Sequence, residues 1–307
     1  MSRVGSNEKQ REFAKLYEKL CVRNNRFNVW QDFVWMVACA ISNSVDMRYR
    51  DKREERYMQI ISKYRPDEQE VFPELFALIT MGMEEDPEQD FLGELYMQLN
   101  LGNDRQGQFF TPWSVCEMMS NLSIDAEKVK AHIDKYGYVS LSDPACGAGA
   151  TLISAAMALK AHGINYQRHA LFTGQDIDST TALMCYIQLT LLGCAGYVRI
   201  GSTLSDPMTG HVLFGDENEN TWYTPMFFSD IWSGRRMVHN MRCAIRSLDG
   251  SVNGFTEEPS ANMVETEQAK EEPLQETTEA PEPEEEPVIV VSGKKRNHGQ
   301  LMFDFGG

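Results

Sequence analysis

The stretch from Leu141 to Ala150, LSDPACGAGA, holds the residue types that most narrow the chemistry. An apolar run ends at an acid, Asp143. Two glycines, Gly147 and Gly149, follow with one residue between them, and a helical pattern starts at Ala150. Glycine lets a backbone turn sharply and approach a ligand closely. The helix start beyond it presents free N–H groups. Such a stretch suits a small polar ligand, and by itself it suits an ordinary strand-to-helix turn equally well. Three neighbours weigh toward a site. Gly107–Pro112 (GQFFTP) lies upstream. Gly174–Asp178 (GQDID) lies downstream, with an acid just after a second apolar run. Gly201–Leu204 (GSTL) follows a third. An acid placed after a second strand can accept both hydroxyls of a ribose, as in the nucleotide-binding α/β folds.

The elements around these loops must position them. Residues 1–104 read as an all-α domain of about five helices. Phe13, Leu16, Tyr17 and Leu20 fall at helical spacing, as do Trp30, Phe33, Val34, Val37 and Ile41. Tyr57, Ile60, Ile61 and Tyr64 make a third stripe, ended by Arg65-Pro66. Val71, Leu75, Leu78 and Ile79 make a fourth. Asp86-Pro87 reads as a cap before a fifth with Phe91, Leu92, Leu95, Tyr96 and Leu99. From Thr111 the pattern changes. A capped helix holds Val115, Met118, Met119 and Leu122. Strands at Tyr138–Leu141, Ala170–Thr173 and Tyr197–Ile200 then alternate with helices at Ala150–Lys160 and Thr181–Leu192. That alternation predicts a parallel sheet flanked by helices over residues 105–249. Val212–Phe214 and Trp222–Tyr223 are each candidates for a fourth strand. A last helix over Phe227–Leu248 carries Arg235, Arg236, Arg242 and Arg246 against Asp230.

Charge is unevenly spread. The net charge of the 307 residues is −16, with 29 Lys+Arg and 45 Asp+Glu. Between Glu257 and Glu286 there are twelve acids and one lysine, a net of −11; the stretch from Val288 nets +2, which leaves −7 on residues 1–256. Residues 250–291, rich in Glu, Pro and Thr, read as a disordered acidic linker. The acid excess therefore does not exclude a nucleic-acid partner for the folded part. The seven cysteines are widely spaced with no CxxC pair, which argues for a reducing compartment and against a structural metal. No run of 18 apolar residues and no secretory leader is present, so no membrane span and a cytoplasmic location are expected.

The motifs and their order resemble the modification subunit of type I restriction–modification systems and the adenine-N6 DNA methyltransferases generally. The family patterns are approximately G-x-F-[FY]-T-P, D-P-A-C-G-[ST]-G, G-x-[ED]-[IL] and N-P-P-[FY]. Gly107–Pro112, Asp143–Gly149 and Gly174–Ile177 match the first three in order, and Asp90–Tyr96 is similar to the family's preceding helix. The likeness covers about residues 86–205. It implies a Rossmann-like class I S-adenosylmethionine-dependent methyltransferase core behind an N-terminal all-α domain. It also implies that Phe109, Phe110, Thr111 and Pro112 line the cofactor pocket and that Asp143, Cys146, Gly147 and Gly149 hold the methionine part. By the same likeness Asp176 takes the ribose hydroxyls and Ile177 packs on the adenine. Ser202 stands where the family usually offers an acid to the adenine amino group, and a hydroxyl there lacks charge assistance.

The fourth motif is missing. No Asn-Pro-Pro-Phe or Asn-Pro-Pro-Tyr occurs. Thr224-Pro225-Met226-Phe227 lies at a suitable distance after Gly201 for a degenerate version, with Phe227 stacking on an extruded base and Pro225 offering its carbonyl. A loop without catalytic duty is the other reading of it. The chain is also short for a seven-stranded sheet. An incomplete sheet with an open edge is expected, covered by a second copy, a partner subunit or the Phe227–Leu248 helix. At the C-terminus, residues 292–307 include Gln300-Leu301-Met302-Phe303-Asp304-Phe305. This resembles the bacterial sliding-clamp-binding peptide, with Gln300, Leu301, Phe303 and Phe305 as its contacts. Two functions stand open on the sequence. One is a DNA adenine-N6 methyltransferase or a subunit of one, acting with another methyltransferase or specificity subunit or as a homodimer. The other is a catalytically inactive relative that serves as a cofactor-binding or DNA-associated module of a phage or mobile element.

Overall fold

The computed structural model describes residues 8–101, 110–250 and 300–302, and for 246–250 and 300–302 the backbone alone. The helical part comprises α1 (Glu8–Cys21), α2 (Arg26–Asn43), α3 (Arg50–Ile61), the short α4 (Pro66–Gln69), α5 (Val71–Glu85) and α6 (Phe91–Gln98). The predicted stripes face inward: Phe13, Tyr17, Leu20, Trp30, Phe33, Val34, Leu75 and Ile79 are all buried. Asn25 caps α2 by accepting from the Asn28 N–H, and Asp90 caps α6 by accepting from the Gly93 N–H.

The second part runs α7 (Trp113–Ser123), α8 (Ala126–Tyr136), β1 (Val139–Asp143), α9 (Ala150–Ala161), α10 (Tyr166–His169), β2 (Ala170–Asp176), α11 (Ser179–Leu191), β3 (Ala195–Ile200), β4 (Thr221–Tyr223), α12 (Asp230–Gly250) and β5 (Gln300–Met302). The sheet order is β4-β3-β2-β1-β5. The pairs β1–β2, β2–β3 and β1–β5 are parallel, and β3–β4 is antiparallel. Val212–Phe214 is a turn, so Trp222–Tyr223 is the fourth strand.

Side chains alternate across the sheet. In β2, Phe172 faces one core and Leu171 the other. On the first face lie α9 and α11, and every residue from Ala150 to Leu159 and from Thr180 to Leu189 is buried. Helices apolar all round need cover on both sides. The sheet supplies one side; α7 packs on α9 and α2 on α11 to supply the other. The core therefore runs unbroken from Phe13 through α11 to Val198. The second face has a thinner cover, in which Leu213, Phe227 and Trp232 sit over Leu171 and Tyr197.

The expected open edge is filled in an unforeseen way. Gln300–Met302 pairs with Ser140–Ser142 along the free side of β1. The long C-terminal helix does not take that position: in the first turn of α12, Trp232 Nε1 donates to Gln167 O, and Arg235 further on donates to Gly137 O and Arg168 O. The expected acidic linker over 250–291 and the clamp-peptide residues Phe303 and Phe305 lie outside the described residues, apart from the backbone of Gly250. Among the described residues, no helix is long and apolar enough to cross a membrane.

Candidate cofactor site

The site lies at the carboxyl ends of β1, β2 and β3, where the predicted loops meet. Asp143 closes β1 and is buried. Its Oδ1 accepts from the Ala145 N–H at 2.9 Å and its Oδ2 accepts from the Thr151 hydroxyl. Burial raises its pKa while those two bonds oppose the rise. The carboxylate thus ties the glycine loop to the first turn of α9. Gly147 (φ +50°) and Gly149 (φ +100°) both adopt the left-handed conformation that disfavours a side chain. A Cβ on Gly149 would stand 2.8 Å from Cys185 Sγ, and one on Gly147 would stand 3.3 Å from the Phe110 ring. Phe110 is therefore brought to the glycine loop as the motif order implied, with its other neighbour Tyr96 at 5.5 Å. Thr111 and Pro112 are exposed beside it, and Phe109 lies outside the described residues. Cys146 is buried, and the neighbouring Cys185 thiol, and then burial, push its pKa well up.

Asp176 ends β2 and gathers the loops. Its Oδ2 accepts from the Gly147 N–H at 2.8 Å, and its Oδ1 accepts from the Asp178 N–H at 2.9 Å and the Thr181 hydroxyl at 3.1 Å. Its backbone carbonyl accepts from the Gly201 N–H at 2.8 Å, and the Cys146 N–H donates to Gln175 O. The Thr203 hydroxyl donates to Pro144 O, which joins the third loop to the first. Ile177 stands out: its side chain is 75% exposed directly beside this acid. Ser202 lies in the third loop, where its hydroxyl accepts from the Ser205 N–H. Thr151, Thr181, Thr203 and Gln175 hold the site but carry no motif of their own; Gln175 and Thr203 lay inside stretches already singled out.

The donor set fits S-adenosylmethionine. Two left-handed glycines leave backbone where side chains would crowd a ligand. An acid with remaining acceptor capacity stands at the end of β2, and an exposed apolar side chain beside it can cover a purine face.

The fourth-motif candidate is elsewhere. β4 runs antiparallel to β3, so the residues after it emerge at the amino end of β3 and not at the carboxyl end. Thr224 Oγ1 donates to Cys194 O at 2.7 Å and accepts from the Gly196 N–H at 3.0 Å. From Gly196 to Ile200 is about 13 Å at strand rise. Phe227 is 4% exposed, packed on Tyr197 and Tyr223 with the Arg236 guanidinium 4.3 Å above its ring. Pro225 is half-buried in the same turn. Thr224, Pro225 and Phe227 are thus not brought to the cofactor loops.

The parallel β1–β2–β3 sheet with three joined loops at its carboxyl edge is a Rossmann-like α/β arrangement, in which ligands bind at the carboxyl ends of the strands. Residues 88–262 match the family model described as N-6 DNA Methylase, more than half of the chain, and the chain belongs to that family. The type I restriction enzyme MjaIX methylase subunit of Methanocaldococcus jannaschii is 28% identical over 131 residues, 43% of this chain and 21% of that protein. The chain thus spans about a fifth of the curated relative it matches. Two solved structures are similar at a TM-score of 0.37. One is a class I S-adenosylmethionine-dependent methyltransferase from Listeria monocytogenes, 16% identical, covering 67% of this chain and 57% of that one. The other is the methyltransferase subunit of a type I restriction-modification system from Streptococcus thermophilus, 17% identical, covering 65% and 41%.

Proposed function

We propose that this chain is the cofactor-binding subunit of an S-adenosylmethionine-dependent DNA adenine-N6 methyltransferase, working in the cytoplasm with a second subunit. The observation that carries the reading is Asp176, stitched to Gly147 and Gly201 with Ile177 exposed beside it. Asp176 would accept the ribose hydroxyls and Ile177 would cover the adenine. The turn from Asp143 to Gly149, with Cys146 packed beneath it, would receive the amino-acid end. Phe109, Phe110, Thr111 and Pro112 would flank it. Ser202 would offer a hydroxyl toward the adenine edge. Bound there, S-adenosylmethionine supplies a methyl group on a positively charged sulfur.

Adenine's exocyclic amine is a weak nucleophile because its lone pair is delocalised into the ring. It needs an acceptor for its hydrogens and an aromatic wall once the base is extruded. Thr224 and Phe227 are spent on the packing under β3, so those groups are assigned to a partner subunit or a second copy. The curated relative is named as a methylase subunit of a type I restriction enzyme, which supports an assembled form.

Calorimetry of the full chain with S-adenosylmethionine tests the pocket. Asp176→Ala should weaken binding at least about tenfold through loss of charge-assisted hydrogen bonds. No binding heat for the native chain, or an unchanged constant for Asp176→Ala, overturns the reading. Tritiated methyl transfer to unmethylated DNA, with and without copurifying subunits, tests the division of labour. Transfer by the chain alone that is abolished in Phe227→Ala would return the catalytic role to the Thr224–Phe227 turn. We further propose the C-terminal peptide, Gln300, Leu301, Phe303 and Phe305, as a sliding-clamp contact that competes with the pairing of Gln300–Met302 to β1.

A further inference from the structure

Gln188 lies toward the C-terminal end of α11, fully buried, and its amide joins three elements. Its Nε2 donates to Asp90 Oδ1 and to the Ala148 carbonyl, each at 2.8 Å. Its Oε1 accepts from the Leu92 N–H at 3.0 Å. Both amide protons are therefore committed, one to the start of α6 and one to the glycine loop. Ala148 is the residue between the two left-handed glycines. Its carbonyl shares a peptide plane with the Gly149 N–H, which donates to Cys146 O at 2.8 Å. That plane is held at one end by the loop itself and at the other by Gln188. A peptide flanked by glycines has little intrinsic resistance to reorientation, so an outside hold has its largest effect there. Asp90 is braced in turn. Its Oδ1 also accepts from the Gly93 N–H at 2.9 Å, and a side chain on Gly93 would collide with it.

Resting on the cofactor reading above, we infer that Gln188 is a positioning residue for the cofactor loop. Its amide fixes the Ala148–Gly149 peptide to the cap of α6, so the helices packed behind the sheet help to set the shape of the loop. Gln188 touches no reacting atom; it acts through Ala148.

The test pairs Gln188→Met, which keeps the length but has no donor, with Asp90→Asn, which keeps an acceptor for the Gln188 amide. Two readouts are taken on the full chain: calorimetry with S-adenosylmethionine, and hydrogen exchange at the Gly149 amide without ligand. Gln188→Met should bind about tenfold more weakly and exchange Gly149 about tenfold faster. Asp90→Asn should lose less than Gln188→Met in both, because the Gln188 amide keeps its acceptor. A Gln188→Met chain that melts earlier yet binds and protects Gly149 as the native chain does would reduce Gln188 to a structural residue and overturn the inference. Where Gln188→Met does not fold, Asp90→Ala removes the brace while leaving Gln188 in place. It should show the same two losses at about threefold, and native values in both would overturn the link to α6. If the native chain binds no S-adenosylmethionine, the cofactor reading fails, and exchange at Gly149 still decides the positioning role.

Discussion

Asp90 places a carboxylate in the core beside amide donors and, among the described residues, no cation. Burial pushes its pKa up to about 6, against the opposing pull of the Gln188 and Gly93 bonds. An acid whose pKa is higher folded than unfolded stabilises the fold most at low pH, and the contribution is lost as pH rises through the folded value. Between pH 7 and pH 5 the native chain should therefore gain about 1 kcal/mol relative to Asp90→Asn. Denaturant titrations at the two pH values check this, and an unchanged difference refutes it. At this scale the sequence disclosed part of the site. Gly147, Gly149 and Asp176 could be singled out because their places at strand ends have a backbone reason, whereas Ile177 entered only through the family likeness. Thr151, Thr181 and Gln188 could not, since a single polar residue has no periodicity and its partner exists only in three dimensions. Phe227 was misplaced because an aromatic residue after Pro looks the same whether it awaits a base or fills a core.

Elements were legible where burial is one-sided. α1, α2 and α5 declared themselves by their stripes, and β1 to β3 by short apolar runs between turns. α8 went unread: Asp125 and Gly137 cap it at the two ends, but only Val129 and Ile133 give it an apolar side. The direction of β4 was illegible as well, since three residues carry no sign of polarity. What holds β4 is a set of contacts from the helical part. Arg53 is buried, donates to Asp46 Oδ2, Ser42 Oγ and Thr221 O, and lies 4.3 Å from the Trp222 ring. Lys52 pairs with Glu219 on the approach to the strand. Arg53→Ala should cost about 3 kcal/mol, because it strands a buried carboxylate. Arg48, which also reaches Asp46, keeps the loss at that end of the range. Denaturant midpoints measure it, and a loss below about 1 kcal/mol would mean that the pair acts as a surface ion pair does.

For the molecule as a whole, the first face of the sheet is covered twice over and the second face once. Its edges are closed by two short strands of different origin, β4 from the local chain and β5 from the far end. Deleting residues 300–307 should leave the helices and the α9–α11 layer folded while baring the N–H and C=O groups of β1. Light scattering behind size exclusion should then show more concentration-dependent self-association than the full chain shows; an unchanged profile would mean that β5 contributes nothing to the edge. The pairing of β5 also bears on the order of events during synthesis. Ser140 and its partner Gln300 are separated by about 160 residues, which a ribosome adds at about 5–20 residues per second. The edge of β1 therefore emerges about 10–30 s before the strand that closes it has been made. During that interval the nascent chain carries its own vacancy, open to a chaperone or to a neighbour on the same message. Closing that edge is then a late step, set by bringing together two segments distant in sequence and not by the speed of the helices.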